Sequence, residues 1–204
     1  MITFVYFYLT EHADRLILYM RRKVMLSTYS QCIKKYLTDY YLKKAIEENL
    51  LYKVEKGIYS DSPSWSELAL IAFKNSNAVF TMNSAFYYQD LTDSIPDYYY
   101  LGTEREASRI SDRNVKQVFY PDEILTLGVE EKTVNGVSIR IYSKERLLVE
   151  LIRHRNKLPF DYYKEIIESY RRKVYELDEE WFEDNIDRFP GGRKIMSTIQ
   201  LEVY

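Results

Sequence analysis

The 204-residue sequence predicts an α+β protein with two domains. Three observations lead to this prediction. Residues 27–59 have the pattern of two short helices followed by a tight hairpin. Asn135 and Gly136 mark a second hairpin between two β-prone runs, and the hydrophobic period becomes helical after Ser143. The first group has the order of a winged helix-turn-helix, so we expect a mixed α/β domain with a small sheet and C-terminal helices to follow it.

The second helix of the first group has a defined start and a defined end. Thr38 or Asp39 can cap it, because a short oxygen-bearing side chain accepts hydrogen bonds from the free amides of the first turn. Asn49 tolerates left-handed geometry and is the predicted end of the helix. The residues at helical spacing that predict a buried stripe are Tyr41, Leu42, Ala45 and Ile46. The residues expected largely on the other faces are Asp39, Tyr40, Lys43, Lys44 and Glu47.

A hairpin follows this helix. Residues 50–54 are β-prone, residues 55–57 form the turn, and residues 58–59 return as the second strand. Gly57 supplies the positive φ that such a turn requires. Lys53 and Lys56 are therefore expected at or near the tip of the hairpin.

Charge is distributed unevenly along the chain. Residues 15–56 hold ten Lys or Arg and four acidic residues, a net charge of +6, whereas the whole chain carries −2 and the remainder therefore −8. A basic module on an acidic body is expected of a DNA-binding surface, because Lys and Arg release counterions from phosphates. The alternative is an ordinary helical surface that carries lysines.

The pattern predicts how the module contacts DNA. The helix over residues 38–48 enters a groove with Tyr40, Lys43 and Lys44 facing the DNA. Lys53 and Lys56 contact the backbone or the minor groove. Lys34 and Lys35, on the preceding helix, contact adjacent phosphates.

The first residues of the chain and its single cysteine bear on the predicted cellular compartment. The apolar residues 1–9 are too short, and too soon followed by charge, for a signal peptide or a membrane span. Residues 12–24 predict an amphipathic helix. Cys32 is the only cysteine, which excludes a disulfide within the chain and favours a reducing cytoplasm. We expect Cys32 to be a packed core residue rather than a reactive thiol.

A polar linker at residues 60–64 separates the predicted domains, 1–60 and 61–204. Ser62 is the predicted cap of the helix that follows. Strands are predicted at residues 78–81, 97–101, 115–120, 124–134 and 137–142, with a helix from Asn83 or Ser84. Helices are predicted at residues 143–157, 160–174 and 178–189, and a last helix or strand at 195–203.

Motifs of catalysis are not found in the sequence. It contains no Gly-rich phosphate loop, no G-x-S-x-G and no metal-ligand spacing, so we predict neither an enzyme nor a cofactor or metal site. The acidic run at residues 178–187 fits a solvated helix start, although a two-metal nuclease would also use carboxylates. Arg105, Arg109 and Arg113 predict one helical face that is either solvated surface or a phosphate contact. Residues 153–155, Arg-His-Arg, have the same two interpretations, solvated surface or a phosphate contact.

Three segments together resemble the AbiEi family of antitoxins, over residues 25–189. The first is Leu42-x-x-Ala45-Ile46-x-x-x-Leu50-Leu51-x-x-Val54-x-x-Gly57-Ile58-Tyr59, which is similar to the family's recognition helix and wing. The second is the strand and helix start over residues 78–86, where Asn83 stands in place of the family's usual histidine. The third is the helix that opens with Ser143-x-Glu145-Arg146 and continues to Arg153.

The resemblance implies a function. Members of this family belong to type IV toxin–antitoxin and phage abortive-infection systems. The winged domain binds repeats in the promoter of its own operon and represses transcription, and the C-terminal domain counters a nucleotidyltransferase-like toxin without a stable complex. The alternatives are a winged-helix module that binds protein, a regulator without antitoxin activity, and a metal-dependent nuclease.

Overall fold

The computed structural model describes residues 24–204. The amphipathic helix predicted for residues 12–24 thus falls, except for its last residue, outside the described part. The chain divides into two compact units, one that ends at Phe73 and one that covers Lys74–Tyr204. Helices and strands occur in both units, so the α+β prediction is confirmed. The division after Phe73 assigns residues 61–73 to the first unit, whereas the sequence pattern assigns them to the second domain.

The described part of the first unit, from residue 24 onward, contains three strands and three helices, the last of which runs one residue past Phe73. In chain order they are β1 (Leu26–Thr28), α1 (Tyr29–Tyr36), α2 (Asp39–Glu47), β2 (Tyr52–Glu55), β3 (Ile58–Ser60) and α3 (Glu67–Lys74). The strands form one antiparallel sheet in the order β1-β3-β2. Strand β1 is not predicted from the sequence, because it pairs with β3 from more than thirty residues away, with Leu26 opposite Ser60.

Short polar side chains fix the helix ends of the first unit. Thr28 and Gln31 form a capping box at the start of α1. Thr38 caps α2 by accepting a hydrogen bond from the amide of Tyr41, which confirms one of the two predicted caps. Asn49, at φ 57°, and Gly57, at φ 80°, have the left-handed geometry that the sequence predicts for them.

A small apolar core joins α1, α2 and the sheet. Its buried members are Cys32, Leu42, Ala45, Leu51 and Tyr59, with Ile33, Tyr36 and Ile46 partly buried beside them. The predicted stripe of α2 is therefore correct for Leu42, Ala45 and Ile46. It is wrong for Tyr41, which is 53% exposed. The ring of Tyr41 instead meets the ring of Tyr40 edge-on at the surface.

The second unit is built on a five-stranded mixed sheet. Its strands are β4 (Val79–Phe80), β5 (Tyr99–Glu104), β6 (Val115–Tyr120), β7 (Val129–Val134) and β8 (Val137–Tyr142), in the order β6-β5-β4-β8-β7. Strands β5 and β6 are parallel, as are β4 and β8. The hairpin β7–β8 turns at Asn135 and Gly136, both at positive φ, as predicted.

Six helices accompany this sheet in the second unit. They are α4 (Met82–Tyr88), α5 (Asp122–Leu125), α6 (Lys144–His154), α7 (Phe160–Arg172), α8 (Glu179–Asn185) and α9 (Gly192–Glu202). Helix α6 is central, since it contacts both α4 and α9 and every residue from Glu145 to Ile152 is buried. Among the described residues, no helix is long and apolar enough to cross a membrane.

Three local predictions are corrected. The predicted strand over residues 124–134 begins only at Val129, because Asp122–Leu125 form helix α5 after Pro121. Helix α3 begins at Glu67 and not near Ser62, since the hydroxyl of Ser66 accepts the hydrogen bond from the amide of Ala69. Residues 105–114, which carry the three spaced arginines, form no helix; they connect β5 to β6.

Candidate nucleic-acid interface

A two-residue turn connects α1 to α2. Leu37 has a φ of 68° and its amide donates to the carbonyl of Ile33, which ends α1. The amide of Thr38 donates to the carbonyl of Tyr36, and Thr38 then caps α2. Such a short connection leaves α2 little freedom in its direction relative to α1.

Tyr29 joins three elements of the first unit. Its backbone amide donates a 2.8 Å hydrogen bond to the carbonyl of Gly57 in the turn of the hairpin. Its hydroxyl donates a 2.6 Å hydrogen bond to Oδ1 of Asp39 at the start of α2. That hydrogen bond, with partial desolvation and the carboxylate charge, raises the pKa of Tyr29. The start of α1 thus fixes the positions of α2 and the hairpin together.

The outward face of α2 carries the residues that the sequence predicts there. Tyr40, Lys43 and Glu47 are exposed and follow one another at helical spacing, and Lys44 is exposed beside them. Lys44 approaches Glu48 at 3.7 Å, in a pair whose side chains are about half exposed. Because a solvent-exposed pair of this kind contributes little free energy, Lys44 remains available to another anion.

Four further lysines flank α2 on both sides in the sequence and are exposed. Lys34 and Lys35 lie in the last turn of α1, where Lys35 also approaches the ring of Tyr36. Lys53 lies on β2 opposite Tyr59, and Lys56 lies in the turn of the hairpin. Within residues 24–204, no ion pair is formed by Lys34, Lys43, Lys53 and Lys56.

The predicted charge asymmetry depends partly on residues outside the described range. Between residues 24 and 56 there are six lysines and four acids, a net charge of +2. The other four basic residues of the predicted +6 are Arg15, Arg21, Arg22 and Lys23. The described surface is therefore only mildly basic, and its lysines are arranged around a helix whose own charges nearly cancel.

Cys32 is 2% exposed and belongs to the core of the first unit. Burial raises the pKa of its thiol, against the opposing charge of Lys35. A thiol that is buried and protonated is a poor nucleophile, as the structural interpretation of Cys32 predicts.

The buried charges of α6 are the feature that sequence reasoning missed. Arg146 and Glu150 are both 0% exposed and approach at 2.9 Å. Arg146 also donates to the carbonyl of Leu127 and lies 4.4 Å from the centre of the Tyr142 ring. In the sequence these two residues look like an ordinary i,i+4 pair on a helix surface. The sign of burial that the sequence offers is the apolar run between and after them, residues 147–149 and 151–152.

Two further basic residues contact the carboxylate of Glu150. Arg153 and His154 approach it at 2.8 and 3.2 Å, so they are not the purely solvated residues that the sequence suggests. Burial acts to raise the pKa of Glu150, but contact with His154 and the charges of Arg146 and Arg153 outweigh it and lower the pKa. This network joins α6 to its surroundings and reaches the solvent only through Arg153 and His154, so its geometry fits a structural role.

The first three residues of the acidic run lie at the start of helix α8. Asp178 caps α8 by accepting from the amide of Trp181, and its own amide donates to Glu145. Glu179 and Glu180 are exposed in the first turn of α8, where the helix dipole favours acids. Across residues 24–204, no three His, Cys, Asp or Glu side chains are grouped so that they could hold a metal ion.

Comparison with protein-family models finds no match for this chain, and comparison with curated proteins finds no significantly similar sequence.

Proposed function

We propose that the first unit is a winged helix-turn-helix that binds duplex DNA, with α2 in the major groove and the β2–β3 hairpin as the wing. The observation that carries the proposal is the arrangement around α2. A two-residue turn and the Tyr29 hydrogen bonds fix the helix. Its outward face is exposed at Tyr40, Lys43 and Lys44, and exposed lysines flank it on α1 and the hairpin. Phosphate contacts from such lysines position a helix on the duplex.

The proposal extends to an antitoxin of the AbiEi type that represses its own operon. This part rests on the three-segment resemblance, whose last segment corresponds to the buried helix α6. In this proposal the second unit counters a nucleotidyltransferase-like toxin encoded beside this gene. The protein acts in the cytoplasm.

A gel shift with the duplex directly upstream of this protein's own gene tests the regulatory part. We expect the full chain to shift this duplex in the presence of excess unrelated DNA. Binding that is equally strong on unrelated DNA would refute autoregulation, and absence of binding at low salt would refute the DNA-binding module.

Co-expression with the neighbouring gene tests the antitoxin part separately. If that gene encodes the toxin, the full chain restores growth. A full chain with Lys43→Ala and Lys44→Ala should still restore growth but should lose repression of a promoter reporter, because the two activities are assigned to different units. Failure of the wild-type chain to protect would leave a DNA-binding regulator without antitoxin activity.

A protein-binding module is the second candidate for the first unit, because apolar side chains are exposed there. Leu37 is 77% exposed and Leu50 is 60% exposed. A groove of about 560 Å³ lies between α1 and the α2–β2 connection and is lined by Leu50, Tyr36 and Met25 among others. For this candidate the chain would show no salt-dependent DNA binding, which the same gel shift measures when it is repeated across a salt series.

A further inference from the structure

Two adjacent aromatic rings stand out on the otherwise polar outward surface of α2. Tyr40 is 70% exposed and Tyr41 is 53% exposed. Their rings meet edge-on, with centroids 5.4 Å apart and planes at 74°. Two large, solvent-exposed rings that pack on each other form a rigid apolar surface. When a partner binds this surface, the two side chains lose little conformational entropy.

The position of this pair on α2 matters for what it can contact. Asp39 is the first residue of α2, so both tyrosines lie in its first turn. When a helix of this kind enters the major groove, residues of its N-terminal part approach the base edges. Lys43 and Lys44 lie one turn further along and have the length to reach phosphates.

The charges of α2 favour contact with bases, rather than with phosphates, at the first turn of this helix. On α2 the lysines are balanced by Asp39 and Glu47, and Asp39 lies directly before Tyr40. A carboxylate in the first turn repels phosphate, so the anionic backbone is held by Lys43 and Lys44 one turn further along and by the flanking lysines of α1 and the hairpin. The tyrosine rings then face the floor of the groove.

We infer that Tyr40 and Tyr41 contact thymine methyl groups in the major groove, so that α2 selects A·T pairs at the positions it touches. The inference rests on the proposed DNA-binding function. The C5-methyl of thymine is the apolar group that the major groove displays, and aromatic or aliphatic side chains pack on it. Removing one buried methyl of this kind weakens binding about fourfold.

The test uses the upstream duplex prepared with either thymine or uracil, since uracil keeps every base pair and lacks only the methyl. The full chain is titrated into both duplexes by fluorescence anisotropy at one salt concentration. We expect binding to the uracil duplex to be weaker by at least about fourfold. A third duplex with 5-bromouracil, whose bromine fills the space of the methyl, should restore the affinity.

Variants assign the effect to the two rings. The full chain with Tyr40→Ser and Tyr41→Ser should bind the thymine and uracil duplexes equally, whereas Tyr40→Phe with Tyr41→Phe should still prefer thymine. Tyr175→Ser is the control, because Tyr175 is 81% exposed and lies in the second unit; it should keep the preference.

Two results would overturn the inference while leaving the proposed function intact. One is equal affinity of the wild-type chain for the thymine and uracil duplexes. The other is a full preference for thymine in the Tyr40→Ser, Tyr41→Ser variant. Absence of binding to the thymine duplex would instead overturn the proposed function, and the inference with it.

Discussion

The hydroxyl of Tyr29, the first residue of α1, donates a 2.6 Å hydrogen bond to Oδ1 of Asp39, the first residue of α2. The amide of the same tyrosine donates to the carbonyl of Gly57 in the hairpin turn. One residue therefore connects the start of both helices and the tip of the hairpin. A surface composed of α2 and the hairpin can match a duplex only if these parts keep a fixed relation to one another.

Tyr29→Phe removes the hydroxyl and keeps the ring and the amide hydrogen bond. We expect DNA affinity to fall about threefold, as for the loss of one exposed hydrogen bond, because α2 is then less well oriented. The melting temperature should change little. The measurement is a titration of the upstream duplex, with Tyr175→Phe as a control on an exposed tyrosine of the second unit. Wild-type affinity in Tyr29→Phe would show that this contact does not orient α2.

Two contacts are open to Lys53 and Lys56, the phosphate backbone and the minor groove, and contact with the backbone makes the following prediction. The full chain with Lys53→Ala and Lys56→Ala should lose affinity to a similar degree on every duplex, and the slope of log affinity against log salt should fall by about 2. Lys53→Arg with Lys56→Arg keeps both charges and serves as the matched control. A change in sequence preference, with an unchanged slope, would assign these lysines to base contacts instead.

Glu150→Gln should destabilise the second unit by about 3 kcal/mol, because it leaves the buried Arg146 without a counter-charge. The measurement is denaturant unfolding at pH 7, monitored by fluorescence of the tryptophans. Glu131→Gln, at an exposed position of β7, is the control and should be near neutral. A loss below about 0.5 kcal/mol in Glu150→Gln would contradict the assigned role of the network.

The same network predicts a pH dependence. Since the folded pKa of Glu150 lies below its ordinary value of 4.5, its contribution to stability is fully present above pH 4.5 and is lost as the pH falls through the folded pKa. Wild-type stability should therefore fall more steeply below pH 4.5 than that of Glu150→Gln. Parallel pH profiles for the two proteins would contradict the lowered pKa.

Local chemistry predicted much of this fold. The Thr38 cap, the left-handed Asn49 and the Asn135-Gly136 hairpin depend on a few neighbouring residues, and all three are correct. Strand β1 could not be predicted, because three residues form it only by pairing with β3, distant in the sequence. Arg146 has the charge of a surface residue. Its burial depends on the carbonyl of Leu127, 19 residues earlier in the chain, together with the Tyr142 ring and the Glu150 carboxylate, and the Leu127 contact cannot be read from the helix pattern.

The exposure of the predicted interface residues agrees with the sequence pattern, whereas their contact with DNA stays a prediction. All seven predicted residues are exposed: Lys34, Lys35, Tyr40, Lys43, Lys44, Lys53 and Lys56. The helical period did not predict that Tyr41 is exposed beside Tyr40, because residue 41 lies at the border of the apolar stripe, where packing decides.

The measurement that tests the central claim most directly is a salt series of binding to the upstream duplex for three full-length proteins. These are the wild type, Lys43→Ala with Lys44→Ala, and the control Arg193→Ala with Lys194→Ala, an adjacent exposed basic pair on α9. We predict that the affinity of the wild type and of the control falls steeply as salt rises. The α2 variant should bind more weakly, and its slope of log affinity against log salt should be lower by about 2. Unchanged affinity and slope in the α2 variant would contradict the placement of α2 on DNA.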